Sequence, residues 1–342
     1  MRAVVIRGHG GPERLEVLEL PAPEPKPGEV RVRVKACAIS HLDLWVREGW
    51  PGLRLNFPHV LGAEVAGSVD ALGAGVSDIE PGAPVLVAPG LSCGACQDCL
   101  SGRDNHCRQY HLLGERVCGG YAELVCVPRQ NLVPMPAQLT FEQAACLPLV
   151  FQTAWEMLVR RAALQAGETV LVHAAGGGVG SAAVQIARLL GARVLATVGS
   201  DAKVDKALAL GADEVINYEK QDFLAEVWRL TGRRGVDVVF EHTGARTFER
   251  SVASLAVGGR LVTCGATSGA ETQLDIRMLF WRRISLLGST TGSKGDLFDI
   301  ARLVGEGKLR PVLDRALPLE EAARGHGLLV DRAQFGKVVL VP

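Results

Sequence analysis

Four closely spaced cysteines are the residues in this sequence whose types and spacing most directly suggest chemistry. The segment SCGACQDCLSGRDNHC places Cys93, Cys96, Cys99 and Cys107 in a C-x2-C-x2-C-x7-C pattern. Short, regular gaps between thiols predict a tetrahedral metal site. The pattern alone leaves open whether that metal would take part in a reaction or would only hold a loop.

A glycine-rich turn is the second candidate site. The segment AAGGGVGS, residues 174–181, lies between a predicted strand and a predicted helix, and small residues fill the three glycine positions of a G-x-G-x-x-G frame. Such a turn lets backbone N–H groups approach a pyrophosphate, and the helix N-terminus adds a positive field. We therefore predict that a dinucleotide binds at this turn. The backbone that would face it belongs to Gly177, Gly178, Val179 and Gly180.

The end of the next predicted strand bears on which dinucleotide binds. An NAD site usually places Asp or Glu there to hold the ribose hydroxyls, whereas this chain has Gly199 and Ser200. Lys203 and Tyr218 could form a cationic, hydroxyl-rich pocket for a 2′-phosphate. Asp201 lies close by in the sequence and weakens that argument. On balance the residues favour NADP(H) over NAD(H).

Two kinds of predicted element would position these residues. Up to about residue 150 the chain consists of short β-like runs separated by Gly and Pro, which indicates a barrel-like β domain. The segment FEQAACLPLVFQTAWEMLVRRAAL is predicted to be helical. From Glu168 onward, apolar strands alternate with amphipathic helices, including one through FERSVASLAVGG, and this succession predicts a doubly wound parallel sheet. The tail GKVVLVP is predicted to be a strand that returns to the first domain.

The composition favours a globular protein of two domains. The chain has 342 residues, of which 48% are hydrophobic, and its 37 basic residues balance its 37 acidic ones. This balance gives no indication of a nucleic-acid or membrane partner. The N-terminus has no signal-peptide pattern, so we expect the nine cysteines to meet the reducing conditions of a cytoplasm.

Together these features resemble the medium-chain alcohol dehydrogenase/quinone reductase superfamily. The resemblance covers essentially the whole chain and is carried by SCGACQDCLSGRDNHC, AAGGGVG, PHVLGAEVAG, GGYAELV and GGRLVTCG. It implies a mixed α/β fold with a GroES-like β-barrel catalytic domain, residues 1–150 and 291–342, and a Rossmann cofactor domain, residues 151–290. It also implies one structural Zn²⁺ on the four cysteines, because four thiolates fill every position of a tetrahedral zinc.

The family's alcohol dehydrogenases usually carry a second, catalytic zinc, and this chain departs from their ligand pattern. Aligned by motif, Ser40 takes the place of a ligand cysteine, Ala63 that of a histidine and Leu149 that of a further cysteine. Leu42 takes the place of a proton-relay hydroxyl, although Glu64 is kept. Ala and Leu cannot bind a metal, and a Ser hydroxyl is a poor zinc ligand. The resemblance therefore predicts chemistry without zinc.

The remaining pattern resembles the quinone reductase branch of the superfamily. There, Ser40 would be the catalytic residue that binds an acceptor carbonyl by a hydrogen bond. The resemblance also places His41 near the cofactor pyrophosphate and Thr153 near the nicotinamide, and Gly265 would let the cofactor approach a strand end. Direct hydride transfer to a quinone or a conjugated enone needs no Lewis acid.

The sequence therefore predicts an NADPH-dependent reductase of quinones or α,β-unsaturated carbonyl compounds, with a small-molecule substrate. One alternative is a zinc alcohol dehydrogenase that recruits Cys37, His59 or Glu64 as substitute ligands. Another is a cofactor-binding protein with a structural or regulatory role. We also expect a homo-oligomer, a dimer or a tetramer, because the late Rossmann strands in RISLLGST pair across a two-fold axis in this family.

Overall fold

The computed structural model describes all 342 residues. The chain forms two units, one of Met1–Gln152 with Ser293–Pro342 and the other of Thr153–Gly292. The chain passes from the first unit to the second after Gln152 and returns after Gly292. Each of these boundaries lies two residues beyond the one expected from the sequence. None of the helices combines the length and the apolar character that crossing a bilayer requires.

The strands are numbered in chain order. They are β1 (Arg2–Ile6), β2 (Glu16–Glu19), β3 (Glu29–Ala38), β4 (His59–Val60), β5 (Glu64–Leu72), β6 (Pro84–Val87), β7 (Gly90–Leu91), β8 (His111–Leu112), β9 (Leu124–Pro128), β10 (Leu132–Pro134), β11 (Thr169–Val172), β12 (Arg193–Val198), β13 (Glu214–Asn217), β14 (Val236–Glu241), β15 (Leu255–Thr263), β16 (Ser285–Gly288), β17 (Leu313–Pro318) and β18 (Lys337–Val341).

The α-helices are named in the same way. They are α1 (His41–Glu48), α2 (Gln97–Leu100), α3 (Phe141–Ala144), α4 (Pro148–Trp155), α5 (Gly178–Leu189), α6 (Val204–Leu208), α7 (Phe223–Leu230), α8 (Phe248–Ser254), α9 (Ile276–Arg282), α10 (Lys294–Gly305) and α11 (Ala322–Val330). A π-helix, Glu156–Arg161, follows α4 directly.

In the first unit, one sheet brings distant parts of the chain together. Its strand order is β10-β6-β5-β3-β18-β17, and β9 also pairs with β3. Ala38 at the end of β3 lies opposite Glu64 on β5 and opposite Val339 on β18. Because β3 is flanked by both strands at this point, residues just beyond Ala38 lie close to the start of β5 and the start of β18. The candidate reactive site lies here, where β3 ends and where β5 and β18 begin.

The second unit is a six-stranded parallel sheet of order β13-β12-β11-β14-β15-β16. This order reverses direction at β11, as in a doubly wound nucleotide-binding fold. The central strands are buried on both faces, which explains why they are continuous apolar runs such as TVLV in β11. The expected fold class, mixed α/β with a parallel doubly wound sheet, is confirmed.

The structure corrects three expectations about helices. The helix expected over FEQAACLPLVFQTAWEMLVRRAAL is divided into α3, α4 and the π-helix. Pro148 separates α4 from α3, because it has no backbone N–H and cannot continue a helix from the preceding turn. The helix expected through FERSVASLAVGG ends at Ser254, where β15 begins and pairs with β14. Helices α1, α2, α9, α10 and α11 were not anticipated from the sequence.

Helix α1 shows which signal was overlooked. Ser40 precedes it in an extended conformation, and the backbone N–H of Ser40 donates to Asp43 Oδ2 at 2.7 Å. This is the carboxylate half of a capping box, and the letters SHLD carry its S-x-x-D signature. The helix start also fixes the position of the Ser40 side chain.

Candidate functional site

The four cysteines of the predicted metal site lie together in the first unit. Their sulfur atoms are all within 4.8 Å of one another. Cys93 Sγ lies 3.8 Å from Cys99 Sγ, which in turn lies 3.5 Å from Cys96 Sγ. A disulfide requires a sulfur–sulfur distance of about 2.05 Å, whereas four thiolates about 2.3 Å from a zinc ion stand about 3.8 Å apart. The spacing therefore fits a tetrahedral metal and no disulfide.

Backbone N–H groups point at these sulfur atoms, as expected for thiolates. Cys96 N lies 3.3 Å from Cys93 Sγ, and Gln109 N lies 3.4 Å from Cys107 Sγ. Hydrogen bonds from the backbone of Ala95 and Cys96 lower the pKa of Cys93 to about 6. The loop therefore stabilises the deprotonated, metal-binding form of Cys93, whereas the pKa of Cys96 is raised to about 11.

An ion pair attaches the four-cysteine loop to helix α10. Lys294 Nζ donates to Asp104 Oδ2 at 2.7 Å and to Ser92 Oγ at 2.8 Å. The backbone N–H of Lys294 donates to Asp104 Oδ1 at 3.0 Å. Asp104 is buried, so its charge is compensated by this lysine. This contact holds the loop at its flank.

The three positions that differ from the zinc ligand pattern meet around Glu64. The Ser40 hydroxyl donates to Glu64 Oε2 at 2.7 Å. Glu64 Oε1 accepts from the backbone N–H groups of Leu149 at 3.0 Å and Val150 at 3.1 Å. Ala63 immediately precedes Glu64. The segments that carry metal ligands in zinc relatives are therefore brought together at this point, but with a different set of side chains.

A lysine from the C-terminal strand lies at the same point. Lys337 Nζ forms an ion pair with Glu64 Oε2 and donates to Ser40 Oγ at 2.7 Å. Its side chain is 5% exposed and that of Glu64 is fully buried. Buried charges persist when they are paired and hydrogen-bonded. A cation supplied by the chain itself therefore lies among the positions where zinc relatives carry ligands.

A second layer of buried polar groups supports this cluster. Asp43 accepts from Gly62 N at 3.0 Å and from the Tyr121 hydroxyl at 3.2 Å. Burial is the main cause that raises the pKa of Asp43 to about 6. Tyr121 Oη also lies 3.1 Å from His326 Nε2, and Arg47 Nη1 lies 2.8 Å from His326 Nδ1.

The donors in this layer determine the histidine's tautomer. Because Arg47 can only donate, His326 Nδ1 must accept, so Nε2 carries the proton and donates to Tyr121. Burial, followed by the charge of Arg47, lowers the pKa of His326 to about 3. A continuous chain of hydrogen bonds therefore runs from Arg47 to Asp43.

The side chains considered as substitute zinc ligands have other partners. His59 is buried, and its Nε2 lies 3.0 Å from the carbonyl oxygen of Gly114. Cys37 is buried as well, and desolvation raises the pKa of its thiol well above the usual value. Glu64 is paired with Lys337. Only the four-cysteine group brings three or more potential ligand side chains to metal-binding distance.

In the second unit, the glycine turn has the geometry of a phosphate cradle. Gly177 caps α5, so the N–H groups of Gly178, Val179 and Gly180 lie in the first turn and have no intrahelical acceptor. A Cβ on Gly180 would lie 2.3 Å from the carbonyl oxygen of Ala174, so only glycine fits there. The turn leaves backbone donors available to an anionic group, which is what a pyrophosphate requires.

The residues predicted to bind the cofactor ribose also lie near one another. A Cβ on Gly199 would lie 2.5 Å from Tyr218 Oη, so the tyrosine side chain packs against the strand end where NAD sites usually carry an acid. Ser200 caps the 3-10 turn that ends at Lys203. Asp201 is paired with Lys220 and accepts from Asn217 Nδ2 at 2.7 Å. The carboxylate that weakened the case for a 2′-phosphate is therefore already engaged.

Three further predicted residues lie as follows. His41 is exposed at the start of α1, with its ring centroid 6.3 Å from that of Trp45. Thr153 is buried in α4. A Cβ on Gly265 would lie 2.9 Å from the carbonyl oxygen of His242, so contact with the neighbouring strand end is sufficient to require glycine there.

Lys337 is the residue of this site that sequence reasoning missed. In GKVVLVP it stands at the beginning of an apolar strand, where a lysine usually faces solvent. Its contact with Ser40 spans 297 positions. The only signal was the prediction that the tail forms a strand of the first domain, because that strand's register decides which end of β3 the lysine approaches.

Comparison with known proteins places the chain in a family. Residues 26–137 match the family model described as Alcohol dehydrogenase GroES-like domain, and residues 178–306 match the one described as Zinc-binding dehydrogenase. An acryloyl-coenzyme A reductase of Metallosphaera sedula is 34% identical over 99% of this chain and 99% of its own length. The chain belongs to the medium-chain alcohol dehydrogenase/quinone reductase superfamily, and it is a nicotinamide-dependent oxidoreductase.

Other relatives differ in the activities that their names describe. A quinone oxidoreductase of Rattus norvegicus is 30% identical and covers 100% of this chain and 98% of its own. A crystal structure described as an NAD-dependent alcohol dehydrogenase is 55% identical over 100% of both chains, with a TM-score of 0.97. The family resemblance predicted from the sequence is confirmed, and the relatives span both reductases and alcohol dehydrogenases. Zinc and NAD(P) are typical of this family.

Proposed function

We propose that the chain reduces quinones or α,β-unsaturated carbonyl compounds with a nicotinamide cofactor and without a catalytic zinc. One observation carries the proposal: the Lys337 ammonium, paired with Glu64 and bonded to Ser40, lies where zinc relatives carry their ligand set. A lysine offers hydrogen bonds and charge but no coordination position. It can therefore assist an acceptor that is already electron-poor.

The choice of substrate class follows from the groups available. An unactivated alcohol must lose its hydroxyl proton before hydride leaves, and the resulting alkoxide needs strong stabilisation, such as a metal ion gives. An enone or a quinone instead takes up hydride and places negative charge on an oxygen, which a hydrogen-bond donor can stabilise. The relatives named acryloyl-coenzyme A reductase and quinone oxidoreductase are consistent with this class.

A screen of cofactor oxidation tests the proposal. Purified protein is mixed with NADPH or NADH and with one of three acceptors: a quinone, an enone and the matching saturated ketone. We expect oxidation with the first two and none with the ketone, and no reduction of NADP⁺ by the saturated alcohol. Zinc-dependent alcohol oxidation would contradict the proposal and favour the alcohol dehydrogenase alternative.

We further propose that the cofactor is NADP(H) in preference to NAD(H), with the 2′-phosphate held by Ser200, Lys203 and Tyr218. Replacing Lys203 with Ala should remove a charge-assisted hydrogen bond worth roughly 1.5–3 kcal/mol. This corresponds to about a tenfold to hundredfold weaker binding of NADPH. Binding of NADH should hardly change, as followed by cofactor fluorescence titration.

A neighbouring lysine provides the control for that experiment. Lys206 lies one turn further along α6 and is exposed, so Lys206→Ala removes the same charge from a nearby position. We expect it to leave both affinities nearly unchanged. If the wild type binds the two cofactors equally and Lys203→Ala affects both alike, the phosphate pocket does not exist.

The four cysteines are proposed to hold one structural zinc ion per chain. All four positions of a tetrahedral zinc would be filled by Cys93, Cys96, Cys99 and Cys107, which leaves none for a substrate. When bound, the metal would cross-link a loop that is otherwise held mainly by the Lys294–Asp104 ion pair. Its contribution would therefore be to the stability of the loop.

We propose that the chain forms a homodimer, or a tetramer built from such dimers. Strand β16 is the edge of the parallel sheet, and helix α9, which precedes it in the chain, exposes apolar residues, with Phe280 61% and Trp281 76% exposed. An unpaired edge of this kind favours pairing with a second copy. Light scattering should give at least twice the chain mass, and Leu286→Lys on β16 should shift it to the monomer. A monomeric wild type would contradict the proposal.

A further inference from the structure

The Lys337 ammonium has one hydrogen-bond donor left over. A lysine carries three N–H donors, and two of them are directed at Ser40 Oγ and Glu64 Oε2. The third has no acceptor among the protein atoms, although the residue is only 4% exposed. An unpaired donor on a buried charge is costly, so such a donor points to a group that comes from outside the chain.

Ser40, in contrast, has no proton to offer. Its hydroxyl hydrogen is donated to Glu64 Oε2, and its oxygen accepts from Lys337 Nζ. Glu64 is held in place by two backbone N–H groups on its other oxygen, so it cannot easily turn away from Ser40. The predicted hydrogen bond from Ser40 to a substrate carbonyl would have to break this arrangement.

We infer that Lys337, and not Ser40, is the catalytic residue that binds the acceptor's carbonyl oxygen, through the third N–H of its ammonium group. The inference rests on the proposed function. Lys337 and Ser40 are 4% and 6% exposed, whereas Glu64 behind them is fully buried. The small exposed part of the cluster therefore belongs to Lys337 and Ser40, while the fully buried carboxylate serves to hold them.

The chemistry of this step balances for an enone. A hydride, carrying two electrons, leaves the reduced nicotinamide and forms a C–H bond at the β carbon of the enone. The π electrons of the C=C bond then move toward the carbonyl oxygen, which becomes an enolate oxygen. The N–H of Lys337 donates to that oxygen as its charge grows, and the ammonium keeps its proton. Water supplies the proton that ends on the α carbon.

The roles of the neighbours follow from this arrangement. Glu64 fixes the direction of the ammonium group and compensates its charge while the site is empty. Ser40 fixes a second N–H, so the remaining one has a defined direction. A preorganised donor is more effective than a mobile one because it needs no rearrangement when charge develops. Both are positioning residues, since neither has a free donor for the substrate.

A double variant tests the inference while keeping the fold. Lys337→Met combined with Glu64→Gln removes both charges and keeps the side-chain volumes, so no buried charge is left without a partner. We expect kcat/KM for a simple enone to fall by about a hundredfold to a thousandfold, as for other lost oxyanion donors. The loss for a strongly electrophilic quinone should be less than about tenfold, because its reduction depends less on such stabilisation. Lys35→Met, an exposed lysine on β3, is the control for loss of charge.

A spectroscopic measurement separates this role from a structural one. The carbonyl stretch of cyclohex-2-en-1-one, labelled with carbon-13 at the carbonyl, is recorded in the complex with wild-type protein and NADP⁺, which cannot transfer hydride. We expect a lower frequency than in water, and a return toward the unbonded value in the double variant. The wild-type measurement alone is informative even if the variant does not fold.

The outcomes separate the two proposals. Equal losses on enone and quinone, or a wild-type carbonyl frequency no lower than in water, would overturn the role of Lys337 and leave the proposed reductase activity intact. Failure of the wild type to oxidise a cofactor with either acceptor would overturn the proposed function and this inference with it. Selective loss on the enone together with the frequency shift supports both.

Discussion

In two places of the first unit, polar side chains converge as they would around a cation. The two places differ in where that cation would come from. In the four-cysteine loop, the sulfur atoms lie within 4.8 Å of one another, at the spacing of a metal-bound set. In the cluster of Ser40, Glu64 and Lys337, the cation is a side chain of the protein. On our proposal, the first would depend on an ion from solution, and the second would not.

This difference has a chemical consequence. A zinc ion with an open position can bind an oxygen directly and lower the pKa of a hydroxyl group. An ammonium group can only donate hydrogen bonds, and as part of the chain it cannot be lost to solution as a bound ion can. A lysine ammonium in place of a zinc ion would therefore favour acceptors whose oxygen needs stabilisation only after the hydride has been transferred. We therefore expect chelators to leave the cluster of Ser40, Glu64 and Lys337 unaffected and to act on the four-cysteine loop.

The largest expected effect comes from removing the built-in cation alone. Lys337→Met leaves Glu64 buried without its partner, and breaking a buried ion pair in this way costs about 3–5 kcal/mol of unfolding free energy. Adding Glu64→Gln should recover most of that loss, because no uncompensated charge remains. Chemical denaturation of the wild type and of both variants measures the difference.

The same experiment can refute the pairing. If Lys337→Met alone and the double variant are equally stable, Glu64 does not depend on the lysine. Repeating the wild-type denaturation with a chelator distinguishes the two places. The chelator should destabilise the four-cysteine loop, yet the difference between the two Lys337 variants should remain.

A second effect, which develops only as the pH falls, tests the buried layer behind Ser40. The pKa of His326 is lowered to about 3, so from pH 6.5 down to 3 the unfolded chain binds a proton that the folded chain does not. The wild type should therefore lose stability relative to His326→Gln as the pH falls through that range. The limiting slope is about 1.4 kcal/mol per pH unit.

Because Asp43 titrates in both proteins, its contribution largely cancels in that difference. The measurement is the free energy of unfolding by urea at several pH values for both proteins. Curves that remain parallel from neutral to acidic pH would show that the folded protein does not keep His326 neutral. The hydrogen-bond chain from Arg47 to Asp43 would then need a different assignment.

The two places also differ in how far the sequence predicts them. The thiols of Cys93, Cys96 and Cys99 lie within seven positions, so their spacing alone limits the geometry. The nucleotide turn is local in the same sense, because strand, turn and helix are consecutive. The identity of the cation beside Ser40 is not local, because Lys337 reaches it only through the register of β18 on β3. No periodicity in the sequence determines that register.

The fold shows the same limit. Alternation of strands and helices after Glu168 is sufficient to predict the parallel sheet, since each unit is built from adjacent segments. The helix over residues 141–164 was predicted too long, although Pro148 was a visible signal for its interruption. The first part of β15, residues 255–259, was mistaken for the end of a helix, whereas the strand predicted over RLVTCG is found; the first part becomes a strand only by pairing with β14.

The zinc content per chain, measured by mass spectrometry on wild-type protein and on Cys93→Ser, tests the proposed contrast most directly. We expect about one zinc ion per wild-type chain, lost in the variant, because only the four cysteines provide a complete ligand set. A second zinc in the wild type, or a zinc that persists in Cys93→Ser, would contradict it. Lys337 would then share its place with a metal, and the proposed zinc-free reduction would have to be abandoned.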